Sequence, residues 1–367
     1  MNRAAFTIRD LLVSIVALVS LAAISIPALS QVRMDSLRQA CIGNYRFIAQ
    51  ASGSYSNDFG GQMWAFSWKR GMPIPGISPT HYFGSDMDAQ AWQAVVIMRR
   101  LAGLKSEDTP VPQGWISSLF YSHIALADYV NLPLPASYLI CPADVQRQRF
   151  LDGDFSHLPG DWGDGAFTSW RMGYSSSYSV SPSHWGPSRQ TTVPAPPIGQ
   201  LRKSAMWYST GLYASYDGDL IVPDIYRPHQ ESEVRFPSGK VFLSDDYARH
   251  NGKTRYYAYQ TAAQDMLFYD GSVRFFRTDS TNPGWRPTSA SGRGNMTSRY
   301  SFTVTPDYWG TLDNNAAQAS FTAGWYRTTR GGLFGWDVPR LSSMVGKLPN
   351  ANIVENEVDT SAATGTW

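Results

Sequence analysis

The stretch from Phe6 to Leu29 reads FTIRDLLVSIVALVSLAAISIPAL and decides the fold of the chain. From Leu11 to Leu29 it runs nineteen residues without a charged side chain, about the length that spans the hydrocarbon core of a membrane as a helix. Asp10 stands at the edge of this apolar run and Pro27 near its far end. Because a carboxylate near a membrane is costly unless it is paired, an acid there marks a function.

The helical pattern continues beyond Pro27, but only on one face. Apolar or small residues recur there at spacings of three and four: Leu37, Cys41, Asn44, Ile48, Ala51 and Tyr55. The sequence therefore predicts one helix from residue 6 to about 56, apolar all round at first and one-sided afterwards. The glycine-rich stretch Asn57 to Gly61 is expected to end it.

The rest of the chain predicts an α+β protein in which this helix packs on an enlarged, antiparallel, β-rich globular domain. Further helices are expected over Asp88–Leu104 and Trp115–Tyr129, and a strand over Tyr138–Cys141. The clearest hairpin is Met266–Phe276, because Asp270-Gly271 between two apolar runs favours a tight turn. The predicted parts are a leader (1–5), a transmembrane and assembly helix (6–29), its amphipathic continuation (30–57), a globular domain (58–280) and an irregular or β C-terminal extension (281–367).

Composition excludes some functions. Lys+Arg 31 against Asp+Glu 29 gives a net charge of +2, and no basic run suggests a phosphate-binding surface, so nucleic acid is not expected as a partner. Six histidines are scattered among loops without a known catalytic motif, and the sequence does not predict an enzyme. Charged residues are only 16% and aromatic residues 14%, a composition typical of an extracytoplasmic surface.

The two cysteines, Cys41 and Cys141, leave two interpretations open. In an oxidising compartment they could pair, and closing so long a loop would stabilise the fold by about 4 kcal/mol in the chain-entropy model. Alternatively, they are two small buried thiols.

The N-terminus resembles that of type IV prepilins and type II secretion pseudopilins. In that family the leader is cut before a phenylalanine whose new amino group is methylated, and an acid follows four residues later. Phe6 and Asp10 match these positions, and Pro27 is the twenty-second residue from Phe6, where pilins commonly carry a helix-breaking proline. Ala5 stands where the family usually has glycine, and Asp10 where it usually has glutamate.

A bacterial group of pilin-like proteins is similar at three further places. Its helix carries a cysteine like Cys41, it has a Cys-Pro-x-Asp motif like Cys141-Pro142-Ala143-Asp144, and a histidine precedes an Asp-Gly-Ser-Val hairpin like Asp270-Gly271-Ser272-Val273. His250 is the matching histidine. Nineteen residues separate it from Asp270 where the group has about nine, which indicates an insertion over Asn251–Ala262.

Clustered aspartates raise the question of calcium, which some resembling pseudopilins bind near their C-terminal sheet. Carboxylate oxygens on loops are the ligands that calcium prefers, although turn chemistry explains aspartate beside glycine equally well. The candidates are Asp152, Asp154, Asp161, Asp164, Asp217, Asp219, Asp224, Asp245 and Asp246.

The resemblance implies a structural subunit, processed by a prepilin peptidase before Phe6 and held in the inner membrane with its domain in the periplasm or outside the cell. Its partners would be copies of itself or other pilin-like subunits in a pilus or secretion fibre. The alternative is an exported or anchored carbohydrate-binding protein whose exposed Trp and Tyr side chains stack on sugar rings.

Overall fold

The computed structural model describes residues 8–74, 83–84, 86–111, 115, 117–118, 120–130, 133–153, 169–185, 228–251, 257, 261–282, 301–303, 320–322, 325–327 and 332–338. Four α-helices lie in these ranges: α1 (Ile8–Asp58), α2 (Asp86–Ala102), α3 (Ala127–Val130) and α4 (Val145–Leu151). The six strands are β1 (Tyr178–Val180), β2 (Val241–Asp245), β3 (Ala263–Phe268), β4 (Val273–Arg277), β5 (Ser301–Thr303) and β6 (Ser320–Thr322).

Helix α1 confirms the long N-terminal helix, which runs unbroken through Pro27 for 51 residues. At about 1.5 Å per residue it is about 76 Å long. Its N-terminal half is long and apolar enough to cross a membrane, which fits either an anchor or a signal sequence. The large apolar side chains of that half are all exposed: Ile8, Leu11, Leu12, Val13, Ile15, Val16, Leu18, Val19, Leu21, Ile24, Ile26, Leu29 and Val32.

The second half of α1 is a core element of the globular domain. Cys41, Tyr45, Ile48 and Ala51 are buried, as the one-sided pattern predicts. The helix ends where the glycines stand, because Gly60 adopts a φ of +60° and the N–H of Gly61 then donates to the carbonyl of Ser56 (2.7 Å).

The main sheet is antiparallel with strand order β1-β2-β3-β4. The hairpin of β3 and β4 confirms the Asp-Gly prediction, since Gly271 takes the positive φ (+78°) that this turn requires. Side chains alternate along β3, so Leu267 packs with α1 on one face while Met266 and Phe268 face a second cluster.

The second cluster contains residues expected to belong to a C-terminal extension. Trp325, Tyr326 and Val338 pack against Met266 and Phe268. Asp337 also reaches into the domain, where its carboxylate accepts from Lys240 Nζ (3.2 Å) and from the backbone N–H of Val241 (2.8 Å). Residues 325–327 and 332–338 are therefore part of the globular core, and the boundary at 280/281 does not separate them from it.

An ion pair connects α1 to the main sheet. The guanidinium of Arg38 donates two hydrogen bonds to Asp265 on β3 (2.7 and 2.8 Å) and lies over the ring of Phe275 on β4, 4.7 Å from its centroid. Such bidentate contacts fix orientation as well as distance.

Two local predictions were wrong. The expected helix Trp115–Tyr129 is instead a 3₁₀ turn, Ser122–Leu126, that continues into the short α3. The expected strand Tyr138–Cys141 is a 3₁₀ turn, Ser137–Leu139, followed by a bend at Pro142. In both places the apolar residues that the structure describes are buried, so the pattern correctly predicted that these segments belong to the core. It could not assign so short a segment to helix or strand.

The β-rich character expected of the domain is limited in the part that the structure describes. Besides the main sheet there is one two-stranded ribbon of β5 and β6, and turns connect most of the remaining core. The architecture is thus α+β with a small antiparallel sheet.

Candidate functional site

Three residues from distant parts of the chain meet in the domain: Cys41 on α1, Cys141 before the Pro142 turn, and His250 after β2. One ligand atom from each lies within 4.8 Å of the others. The Sγ of Cys141 is 3.1 Å from Nε2 of His250, and both cysteines are free, buried thiols. We call these three residues the thiol–imidazole cluster.

Helix α1 presents Cys41 to the domain through its buried face. The Cys41 Sγ lies 3.1 Å from the hydroxyl of Tyr178 on β1. Asn44, one helical turn along, donates to the same hydroxyl (3.0 Å) and to the carbonyl of Ile140 (3.2 Å). Because Asn44 occupies a lone pair of the Tyr178 oxygen, the tyrosine proton is free to point at the sulfur of Cys41.

The motif Cys141-Pro142-Ala143-Asp144 forms a tight turn that sets the direction of the Cys141 side chain. The N–H of Asp144 donates to the carbonyl of Cys141 (2.8 Å), and proline suits the second position because its φ is fixed near the required value. The backbone N–H of Cys141 donates to Ser177 Oγ (3.0 Å). Both backbone groups of this cysteine are therefore held.

Asp144 is the centre of a buried polar network beneath the cluster. Its Oδ1 caps α4 by accepting from the N–H of Arg147 (3.3 Å). Its Oδ2 accepts from Arg147 Nη1 (2.8 Å), Arg249 Nη2 (2.9 Å) and Ser177 Oγ (2.7 Å). Burial alone would raise the pKa of Asp144, but the two guanidinium groups and the hydroxyl outweigh it and hold that pKa well below its ordinary value.

Arg249 connects this network to His250. It pairs with Asp144 and also with Asp245 at the end of β2. Asp245 in turn accepts from the N–H of Tyr247 (2.9 Å), which bends the chain after the strand. The residue that follows Arg249 is thereby directed at Cys141.

The surroundings raise the pKa values of Cys141 and His250. The hydrogen bond with Cys41, together with burial, raises the pKa of the Cys141 thiol well above its ordinary value. Burial lowers the pKa of His250, but the contact with Cys141 and the nearby carboxylates of Asp245 and Asp265 raise it by more.

The residues predicted for processing and assembly stay predictions. Ala5 and Phe6 lie outside the described residues, as does the side chain of Asp10, whose backbone belongs to α1. Pro27 lies in the exposed half of that helix. Asp270 and Gly271 form the hairpin turn, in which Asp270 Oδ1 accepts from the N–H (2.9 Å) and hydroxyl (2.6 Å) of Ser272.

The calcium candidates are divided in the structure. Asp245 and Asp246 are buried, and their carboxylates contact Arg249 and Arg327. Each of these two carboxylates is therefore already paired with an arginine. Asp152 is exposed just after α4. The others lie outside the described residues: Asp154, Asp161, Asp164, Asp217, Asp219 and Asp224.

The tryptophans that the structure describes are not displayed as a stacking platform. Trp64, Trp115, Trp185, Trp325 and Trp336 are buried in the domain, and Trp68, Trp92 and Trp170 are half-buried. These tryptophans are part of the core. Their positions give no support to the idea that they stack on sugar rings.

Sequence reasoning found the three members of the cluster only as separate motifs. The structure adds the residues that hold them, Tyr178, Ser177, Arg147 and Arg249. A local signal existed for Arg147, three residues after the capping Asp144, and for Arg249, next to His250. Neither signal indicates that the two arginines share one carboxylate.

No protein-family model, no curated protein and no solved structure matches this chain.

Proposed function

We propose that the chain is a pilin-like structural subunit, cut before Phe6, anchored in the inner membrane by α1 and assembled with other subunits into a pilus-like or secretion fibre. The observation that carries the proposal is the contrast along α1. One uninterrupted helix is exposed and apolar in its first half and embedded in the domain in its second half.

The exposed half of α1 requires a partner. Thirteen large apolar side chains on it lie open, from Ile8 to Val32. Covering apolar surface is worth about 25 cal/mol per Å², so water is a poor environment for this segment. The exposed side chains surround the helix, which suits immersion in lipid before assembly and burial among several neighbouring helices after it.

Asp10 supplies the specific contact in this proposal. Cutting before Phe6 would create an α-amino group one helical turn before the carboxylate. A carboxylate in the apolar layer is costly alone, and a neighbouring subunit's amino terminus would neutralise it. This pairing would favour a fixed axial step between subunits over random association in the membrane.

Two measurements test the proposal. Mass spectrometry of the mature protein should find a methylated Phe6 at its amino terminus. A terminus at Gln31, directly after the small-residue site Ala28-Leu29-Ser30 that an export signal would use, would instead support an exported protein that has lost the first half of α1, and would overturn the subunit proposal.

The second measurement is assembly of Asp10 variants in the native host. Asp10→Ala should abolish incorporation into the fibre while the domain keeps its circular dichroism spectrum. Asp10→Glu, which retains the charge, should keep most of the incorporation. Normal incorporation of Asp10→Ala would show that charge pairing is not what positions the subunits.

A further inference from the structure

The thiol–imidazole cluster has the composition of a metal site. Thiolate sulfur and imidazole nitrogen are the ligands that zinc prefers in proteins. Among the residues that the structure describes, this is the one group of three or more His, Cys, Asp or Glu side chains whose ligand atoms converge. The three members come from three separate segments, so their meeting is a product of the fold and not of local sequence.

The spacing of the cluster fits a tetrahedral ion after a small adjustment. With Zn–S near 2.3 Å and Zn–N near 2.0–2.1 Å, ligand atoms around zinc lie about 3.6–3.8 Å apart. The three atoms of the cluster already lie within 4.8 Å of one another. Side-chain rotations that move these atoms by about 1 Å would bring them to the distances of a zinc site.

The surroundings support two thiolates around a cation. The hydroxyl of Tyr178 is placed to donate to Cys41 Sγ, which is the kind of outer contact that orients a metal ligand. The turn at Pro142 and the contact with Ser177 fix the backbone of Cys141. His250 is half-buried, whereas both cysteines are buried.

We propose that Cys41, Cys141 and His250 bind one divalent d¹⁰ metal ion, zinc in the first instance. On binding, the two thiols release two protons to solvent, and His250, after releasing its own proton where it is charged, binds as neutral imidazole, so the ion and its two thiolates carry no net charge. Three protein ligands leave the fourth tetrahedral position to a solvent molecule.

The ion would cross-link α1 to the rest of the domain. It would join α1, the turn after residue 141 and the segment after β2 at one point. Because metal binding favours the state in which the ligands are assembled, the ion would add its binding free energy to the stability of this junction. The proposal stands apart from fibre assembly, since binding is measured on the isolated chain.

Zinc titration of the full chain in detergent tests the proposal. The reduced protein, stripped with a chelator, is titrated with Zn²⁺ against a chromophoric competitor, and we expect one equivalent to bind per chain. Cys41→Ser, Cys141→Ser and His250→Gln should each weaken binding at least tenfold. His229→Gln is the matched control, because His229 pairs with Glu233 outside the cluster and its loss should leave binding unchanged.

Cobalt substitution and thiol mapping decide the case if a variant fails to fold. Co²⁺ bound by wild-type protein should show a thiolate-to-cobalt charge-transfer band and the intense visible bands of a tetrahedral site. Absence of these bands in the folded, reduced protein would overturn the proposal. So would finding Cys41 and Cys141 joined in a disulfide in the mature exported protein, since the site would then lack both thiolates.

Discussion

Replacing Asp144 by asparagine tests whether the buried charge network supports the domain. Asparagine keeps the shape and an oxygen able to cap α4, but it removes the charge shared by Arg147 and Arg249. Breaking a buried pair by removing one partner costs about 3–5 kcal/mol, because the other charge stays buried. Arg249 retains Asp245, so we expect the lower end, about 3 kcal/mol.

The assay is urea unfolding of the full chain in detergent, with Asp128→Asn as the matched control. Asp128 also pairs with an arginine, but the side chains of Arg100 and Asp128 are 56% and 61% exposed. Exposed pairs contribute about 0–1 kcal/mol, so the control should change little. Equal losses of unfolding free energy in both variants would refute the reasoning.

The pH dependence of the same comparison is a second check. The pKa of Asp144 is held below its ordinary value in the folded protein, so the unfolded chain takes up the proton first as the pH falls. The difference between wild type and Asp144→Asn should therefore stay constant from pH 7 to 5 and shrink only below about pH 4. A difference that shrinks near neutrality would point to another group.

Two further predictions concern glycines and histidines. Gly271→Ala should lower the free energy of unfolding by about 1 kcal/mol, because the φ of Gly271 is +78°. Gly43→Ala in α1 should raise it by about 0.5–1 kcal/mol, because an added Cβ there meets nothing within 4 Å. Urea unfolding of both variants makes the comparison. Burial lowers the pKa of His123 and His184 to about 3, so the unfolded chain binds protons before the folded protein does as the pH falls. Below pH 6.5, each of these histidines should therefore lower the free energy of unfolding by about 1.4 kcal/mol for every unit of pH. His123→Gln should flatten that slope by one histidine's share, and an unchanged slope would contradict the assignment.

The long helix and the β3–β4 hairpin could be predicted from sequence because each depends on neighbours in the chain. The apolar run of Leu11–Leu29 and the one-sided pattern after it determine α1 without reference to the domain. Asp270-Gly271 likewise determines its own turn. Short apolar segments such as Tyr138–Cys141 could not be assigned, because four buried residues fit a turn as well as a strand.

The candidate site could be predicted only as a set of residue types. Cys41, Cys141 and His250 are 100 and 109 residues apart in sequence, and nothing local states that they meet. Their convergence depends on the antiparallel pairing of β1 with β2 and on the ion pairs of Arg249, both of which are long-range contacts. The positions of residues 325–327 and 332–338 against the sheet could not be predicted for the same reason.

The continuity of α1 has a mechanical consequence. Its exposed half continues into the domain core as helix with no loop between them, so the domain follows the direction of the residues that precede it. Residues 33–58 are about 39 Å long as a helix, so a change of about 20° in the direction of α1 would move its far end by roughly 13 Å, and tilts of membrane-spanning helices range over about 0–40°. The tilt of the first half of the helix therefore affects the orientation of the whole domain.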